Sequence, residues 1–237
     1  MGYLSEWIGI RSRYSRCRSL WEPHLNHCCE VIVRHLREHP EIRSVAFCGS
    51  GWGLDLPWKS PEFQRLDKII LLDLIHPWFI RWRSLFQNNL KLIVHDLSGV
   101  ISQVDAGERF PEPIIDLKLK VDLVVSLNLI GQLPLMPLEI MEKRIHPSFE
   151  EELHEWARKI QRKHLEALKE WAPRQIVISD IDEIWRNLSG QIVDRSDPWY
   201  GSRDFEMDEQ WNWDISPLGE MEKTRSKHHV VGVKVFS

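Results

Sequence analysis

Five short apolar runs predict buried strands, because unbroken runs of Val, Ile and Leu are typical of parallel sheets that are covered on both faces. In chain order they are Val45–Cys48, Ile69–Leu72, Leu92–Val94, Leu123–Leu127 and Gln175–Ile178. Near the end of the chain the pattern changes to strict alternation. Trp211, Trp213 and Ile215 share one phase, and so do His229, Val231, Val233 and Val235. This period of two predicts a pair of antiparallel strands that closes the sheet.

Between these runs, apolar residues recur at the spacing of amphipathic helices. One helix is predicted from Pro23 to Pro40 and a long one from Phe149 to Trp171, which Pro173 ends. A third is predicted after Pro77, with an apolar stripe made by Trp78, Phe79, Trp82, Leu85 and Phe86. The polar segment 187–210 predicts a connection that crosses the mouth of a cleft.

The alternation of strands and helices predicts an α/β fold, specifically a Rossmann-like three-layer sandwich. We expect a sheet of about seven strands, mostly parallel, with an antiparallel C-terminal hairpin. Residues 1–43 are interpreted as an N-terminal helical extension, and residues 44–237 as the Rossmann-like domain.

A glycine-rich turn follows the first predicted strand. Gly49, Gly51 and Gly53 alternate there, and Asp73 ends the second strand about 20 residues later, which is the spacing of a ribose-binding acid. Glycine accepts positive φ angles and lets a ligand lie against the backbone. The pair of features predicts a site for an adenosine-containing cofactor; the alternative is an ordinary strand–turn–helix connection.

Polar residues also follow the later strands, at the edge where open α/β sheets bind ligands. Asp96 would bind an adenine amino group or cap a helix, and Asn128 would contact ligand or form a turn. Asp180 and Asp182 would orient a substrate amine, act as a base or cap a following helix. Helix capping is the favoured interpretation for these two aspartates.

Composition narrows the possible functions. With 31 basic and 35 acidic residues, the net charge of −4 argues against a protein that coats nucleic acid. The four cysteines lack disulfide or zinc spacing and indicate reduced thiols in a cytoplasmic protein. No apolar run is long enough to span a membrane, and the histidine spacing predicts no metal site. Twelve tryptophans favour a small or medium apolar substrate.

The glycine turn, the acid after the second strand and the closing hairpin resemble class I S-adenosylmethionine-dependent methyltransferases. The stretches GSGWGLDLPW, LLDLIHPW and RCRSLWEPHL are similar to an uncharacterised bacterial subgroup of methyltransferase-like proteins with no established substrate. The resemblance implies S-adenosylmethionine as the cofactor. It implies cofactor contacts at Cys48, Gly49, Ser50, Gly51, Gly53, Asp73, Leu74, Asp96, Leu97 and Asn128.

One position departs from that family. Members usually carry an acid two residues before the first glycine, and Phe47 stands there in this chain. Asp55 is the nearest acid, but it lies beyond the glycines.

Three functions follow from these features. The first is a methyltransferase for an unidentified small-molecule acceptor, with no catalytic residue assigned, because positioning alone can carry methyl transfer. The second is a catalytically inactive cofactor-binding or scaffold protein, which the substitution at Phe47 keeps open. The third is a nicotinamide-dependent oxidoreductase, which the G-x-G-x-G spacing fits poorly.

Overall fold

The chain folds around one eight-stranded sheet. A computed structural model describes the backbone of residues 2–237 and the side chains of residues 8–146 and 148–237. The strands are β1 (Ser44–Cys48), β2 (Lys68–Asp73), β3 (Leu90–Val94), β4 (Leu123–Leu127), β5 (Arg174–Asn187), β6 (Ile192–Ser196), β7 (Glu209–Ser216) and β8 (Arg225–Phe236). Their order across the sheet is β3-β2-β1-β4-β5-β8-β7, and β6 pairs with the far end of β5.

Strands β1 to β5 are parallel to their neighbours, whereas β8 runs antiparallel to both β5 and β7. The Rossmann-like fold class is therefore confirmed, together with the C-terminal hairpin that the resemblance to class I methyltransferases implies. Because β1 to β5 are parallel, their carboxyl ends meet along one edge of the sheet, and the polar residues that follow them meet there too.

Helices cover both faces of the sheet. They are α1 (Gly2–Arg16), α2 (Arg18–Glu38), α3 (Pro61–Gln64), α4 (Trp78–Phe86), α5 (Ile101–Asp105), α6 (Leu135–Glu142), a short 3₁₀ turn (Pro147–Phe149) and α7 (Glu150–Trp171). Side chains alternate along a strand, so Phe47 packs into the core beneath α2, and Cys48 packs into the core beneath α7. The result is the three-layer sandwich that the sequence predicts.

Strand β5 is much longer than its apolar run. The prediction that Asp180 and Asp182 cap a following helix is wrong, because the strand continues through both residues to Asn187 and then pairs with β6. A β-bulge between the two aspartates separates their environments. The side chain of Asp180 contacts His229 of β8, whereas that of Asp182 pairs with Arg195 of β6.

Helix α4 forms where it was predicted, but its aromatic stripe does not pack into the core. Trp78, Trp82 and Phe86 are 76%, 60% and 71% exposed, and Ile80 is the residue of this helix that is buried. No helix among residues 2–237 is long and apolar enough to cross a membrane.

Candidate functional site

The glycine turn after β1 is tightly packed except at its centre. A Cβ added to Gly49 would lie 2.9 Å from the Leu127 carbonyl oxygen, and one added to Gly53 would lie 3.2 Å from Ile80 Cδ1. Those two positions need glycine for packing. A Cβ on Gly51 would meet nothing nearer than 3.9 Å, although its φ of +45° also favours glycine. Gly51 is thus the point of the turn where backbone faces open space.

Asp73 lies against this turn. Its Oδ2 accepts a hydrogen bond of 2.7 Å from the Gly51 backbone N–H, and its Oδ1 accepts one of 3.3 Å from Ile75 N–H. Burial raises the pKa of Asp73, against the opposing effect of these backbone donors. The structure therefore brings together the two features that the sequence paired, a glycine backbone and a carboxylate at the ends of adjacent parallel strands.

The remaining residues of the predicted cofactor site line the turn. Ser50 is 1% exposed, and its hydroxyl has no hydrogen-bond partner among the described residues. A buried hydroxyl without a partner is costly unless a ligand supplies one. Cys48 is fully buried and directs its side chain into the core, so it can offer a ligand only backbone, and Leu74 is half-buried.

Asp96 follows β3 at the same edge of the sheet and is occupied by local bonds. Its Oδ1 accepts hydrogen bonds from the backbone N–H and the hydroxyl of Ser98, at 2.9 and 2.6 Å, and its Oδ2 accepts one from Ile101 N–H at 2.8 Å. Asp96 therefore orders the start of α5. Leu97 beside it is buried.

Asn128 adopts a φ of +47° just after β4, which turns its side chain over the carboxyl edge. Its backbone N–H donates to the Ile178 carbonyl at 2.8 Å, tying the turn to β5. Its Nδ2 lies 3.3 Å from Asp55 Oδ2, while its Oδ1 is buried without a partner among the described residues. Asn128 thereby joins the glycine turn to the end of the neighbouring strand.

The end of β1 carries Phe47 where the family resemblance implies an acid, and the nearest acid in sequence is Asp55. Phe47 is fully buried and packs on Phe63, so no polar group faces the site from the end of β1. Asp55 instead brings a carboxylate to the edge beside Asn128, where burial raises its pKa to about 6. The sequence did not indicate that the Asp55 carboxylate lies at this edge, because Asp55 comes after the glycine turn and not at the end of β1.

A second polar cluster, which sequence reasoning missed, lies beside Asn128. His24 of α2 is 1% exposed and stacks on Trp213 of β7, with ring centroids 3.9 Å apart and planes 3° apart. The Trp211 indole N–H donates to His24 Nδ1 at 3.0 Å, so a neutral His24 carries its proton on Nε2. Burial lowers the pKa of His24 to about 3, so the ring is neutral. Nε2 lies 3.3 Å from Asn128 Nδ2, and because both nitrogens carry protons this contact is not a hydrogen bond.

The cluster continues onto β8 and the extended part of β5. Nδ1 of His229 lies 3.0 Å from Asp180 Oδ2, and its Nε2 lies 3.4 Å from Glu183 Oε2. Burial lowers the pKa of His229, but the two carboxylates outweigh it and raise the pKa to about 8. Lys227 Nζ lies 2.9 Å from the same Glu183 oxygen. His229 is in phase with buried Val231, and that alternation was the sequence signal for an inward-facing histidine.

Other polar candidates have structural partners. His76 Nε2 lies 3.0 Å from the Ile93 carbonyl oxygen, which fastens the loop after β2 to β3. Ser126 Oγ lies 3.0 Å from His164 Nε2 on the α7 side of the sheet, and Asp182 is paired with Arg195. Within the part of the chain that the structure describes, no three His, Cys, Asp or Glu side chains are arranged to hold a metal ion.

The arrangement therefore offers two sets of polar groups to ligands at one edge of the sheet. Around Gly51, Ser50 and Asp73 it offers backbone, a hydroxyl and a carboxylate to a polar ligand. Around Asn128, His24 and Asp180 it offers buried polar atoms framed by aromatic rings.

No family model matches the sequence, and no curated protein matches it. Solved structures do align with the chain. A 1,6-didemethyltoxoflavin-N1-methyltransferase from Burkholderia thailandensis, with bound S-adenosylhomocysteine, is 12% identical with a TM-score of 0.46, and the alignment covers 98% of this chain and 89% of the other.

Two further structures align at similar levels. A SAM dependent methyltransferase from Aquifex aeolicus is 14% identical, with a TM-score of 0.36 and coverage of 80% and 81%. The small RNA methyltransferase HEN1 is 13% identical, with a TM-score of 0.37, and the alignment covers 87% of this chain but 24% of that one. Because these TM-scores lie below 0.5, none of the similarities bears on what the chain binds. The sheet order itself gives the chain its Rossmann-like fold with an antiparallel C-terminal hairpin.

Proposed function

We propose that this protein is an S-adenosylmethionine-dependent methyltransferase that acts on a small-molecule acceptor. The observation that carries the proposal is the contact between Asp73 Oδ2 and the Gly51 N–H, 2.7 Å apart at the carboxyl ends of two parallel strands. Open space over Gly51 and the unpartnered Ser50 hydroxyl are the features expected of a ligand cradle at that point.

Each residue of the site has a role in holding the cofactor. The Asp73 carboxylate would accept hydrogen bonds from the ribose hydroxyls, and Asp96 with Leu97 would lie against adenine. The turn residues Gly49, Ser50, Gly51 and Gly53, together with Asn128, would hold the methionine end, while Cys48 and Leu74 line the site. Asp55 lies beside Asn128 and supplies a carboxylate to a ligand that carries positive charge.

Methyl transfer asks little of the protein beyond positioning. S-adenosylmethionine supplies a methyl group that is already activated on a sulfonium. The chain then needs to hold an acceptor in line with that methyl group and to exclude water, which can account for much of the rate. A dedicated nucleophile is unnecessary for such a displacement.

The acceptor is proposed to be small because the carboxyl edge is acidic and aromatic. Asp55 and Asp73 contribute negative charge to it, whereas His229 and Lys227 balance Asp180 and Glu183, and negative charge repels the phosphates of a nucleic acid. The free cysteines Cys17, Cys28 and Cys48 are buried as thiols, which suits the reducing conditions of the cytoplasm.

A second candidate is a catalytically inactive protein of the same fold. Phe47 favours it, because this fully buried ring occupies the position of the acid that class I methyltransferases usually carry. The position of Asp55 favours the active enzyme, because it returns a carboxylate to the same edge. Cofactor binding separates a methyltransferase from a scaffold without a ligand.

The test is an equilibrium titration by calorimetry with S-adenosylmethionine and S-adenosylhomocysteine, with NAD as the negative control. Asp73→Asn should weaken both by more than about tenfold, since two ribose hydroxyls lose a charged acceptor. Asp67→Asn is the matched control, because Asp67 is exposed, pairs with Arg43 and precedes β2 at the opposite end of the strand. No binding to the wild-type protein at millimolar concentration would overturn the proposal.

A further inference from the structure

Asp180 is a buried carboxylate with one oxygen in an ion pair and one free. The ion pair is not a hydrogen bond, because neither ring nitrogen of His229 has a hydrogen-bond partner among the described residues. The residue is 6% exposed, and its Oδ2 lies 3.0 Å from His229 Nδ1. Its Oδ1 is buried and has no hydrogen-bond partner among the described residues. Buried carboxylate oxygens are costly to leave without a donor, so this atom needs a hydrogen-bond donor from elsewhere.

The titratable groups around Asp180 come from three elements. Glu183 on β5 and Lys227 and His229 on β8 carry charge, whereas His24 on α2 is neutral. Lys227 and His229 together balance Asp180 and Glu183. Asp55, which reaches the same cluster through Asn128, makes the region acidic once its carboxyl ionises. A donor that carries positive charge would therefore be attracted to this cluster.

Trp213 gives the cluster an aromatic wall. It stacks on His24 and meets the His229 ring edge-on at a centroid distance of 5.9 Å. The Trp213 indole N–H is itself buried without a partner among the described residues. Trp213 thus brings an aromatic ring and a free N–H donor against the same His229 ring that pairs with Asp180. Aromatic faces also favour cationic groups.

The cluster is connected to the proposed cofactor site. His24 Nε2 lies 3.3 Å from Asn128 Nδ2, which in turn lies 3.3 Å from Asp55 beside the glycine turn. The charge of Asp180 acts on His24 and Cys28 of α2, so its field extends across the gap between β5 and that helix.

We propose that Asp180 Oδ1, backed by His229 and walled by Trp213, is the acceptor subsite and binds the nitrogen of a primary or secondary amine. This inference rests on the proposed methyltransferase function. Asp180 accepts an N–H bond from the amine, which directs the nitrogen lone pair away from the carboxylate.

An amine that arrives as the ammonium ion would first give one proton to Asp180 Oδ1, from which it passes to water. The lone pair freed in this way would form the new bond to the methyl carbon, while the pair of the breaking carbon–sulfur bond would stay on sulfur. The methylated nitrogen then carries a positive charge, and its proton leaves through Asp180 Oδ1 to water. His229 does not touch the amine in this scheme. It is a positioning residue that fixes the second oxygen of Asp180.

The probe for this site is sinefungin, in which a carbon bearing an ammonium group replaces the methylated sulfur of the cofactor. The ammonium lies where the methyl group would face the acceptor. The wild-type protein should bind sinefungin about tenfold more tightly than S-adenosylhomocysteine at pH 7.5, by calorimetry. Asp180→Asn should make the two affinities equal while leaving that for S-adenosylhomocysteine unchanged. Asp182→Asn is the matched control, because its carboxylate pairs with Arg195, and it should keep the tenfold preference.

A second variant gives a change of opposite sign. His229→Asn keeps an amide N–H near the place of Nδ1 but removes the positive charge beside Asp180, so the preference for sinefungin should increase. A preference that survives in Asp180→Asn, or that falls in His229→Asn, overturns the subsite, and the His229→Asn result decides if Asp180→Asn does not fold. Wild-type protein that binds both probes equally overturns the amine inference alone. Wild-type protein that binds neither probe overturns the proposed function and the subsite with it.

Discussion

Gly51 illustrates how one residue can serve both the fold and a ligand. Its φ of +45° is unfavourable for any residue with a side chain, yet a Cβ there would meet open space. The Asp73 carboxylate also holds its N–H, so the turn has a defined shape without ligand. Asp73 is therefore part of the fold as well as a candidate ribose acceptor, which its place at a strand end did not indicate.

Gly51→Ala should lower the stability of the free protein by about 1 kcal/mol, because alanine resists a positive φ. The added methyl should also occupy the space that the cofactor needs, so S-adenosylhomocysteine should no longer raise the melting temperature. Paired thermal melts with and without the ligand measure both effects. An equal ligand-induced rise in the mutant and the wild type would remove Gly51 from the site.

His24 predicts how stability depends on pH. Its pKa falls from 6.5 to about 3 on burial, so between these values the unfolded chain binds a proton that the folded chain does not. The free energy of unfolding should therefore decrease as the pH falls below 6.5, by up to about 1.4 kcal/mol per pH unit. Urea unfolding of wild-type protein and His24→Gln from pH 7 to pH 4 tests this. If the unfolding free energy of the two proteins depended equally on pH, a buried and neutral His24 would be contradicted.

Elements were predicted best where one periodicity covers the whole segment. Strands β1, β2 and β4 are continuous apolar runs, and α7 has a regular stripe, so local sequence defined them. Local sequence did not predict the full length of β5. After its apolar run the strand contains Asp180, Asp182 and Glu183, whose composition favours a turn. This part is extended because β8 and β6 pair with it. Partners distant in sequence decided the structure there.

In helix α4 the error is of a different kind. The helix itself was predicted, but the face that it buries was not. Its spacing predicts the helix, but periodicity does not say which neighbour the stripe meets. Ile80 is 1% exposed, whereas Trp82 is 60% exposed although it contacts the Phe86 ring.

This orientation makes a prediction about stability. Ile80→Ala should cost about 2–5 kcal/mol of unfolding free energy, because it leaves a cavity in the core. Trp82→Ala should change it by less than about 0.5 kcal/mol, because most of the side chain is in water. Chemical unfolding of the two variants measures the difference. A larger cost for Trp82→Ala would mean that α4 packs with the opposite face inward.

At the scale of the whole molecule, the sheet order determines which residues meet, and no local sequence pattern indicates this. It places residues from β1, β2, β4 and β5 at one edge, and it brings α2, β7 and β8 over the same end. The cofactor half of the site was predictable, because Gly51 and Asp73 belong to a local strand–turn–helix–strand unit. In the other half, the sequence placed Asp180 at this edge, but it did not indicate that His24 and His229 would join it, because the three residues lie on elements far apart in sequence and meet only in the folded chain.

The central claim is that S-adenosylmethionine binds over the glycine turn at the carboxyl edge of β1 and β2. The most direct measurement is a crystal structure of the protein with S-adenosylhomocysteine. We predict both ribose hydroxyls within about 3 Å of the Asp73 carboxylate and adenine against Leu97. The sulfur should face the gap between Asn128 and Asp180. Density for the ligand at any other edge or face of the sheet, or a ribose without contact to Asp73, would contradict the claim.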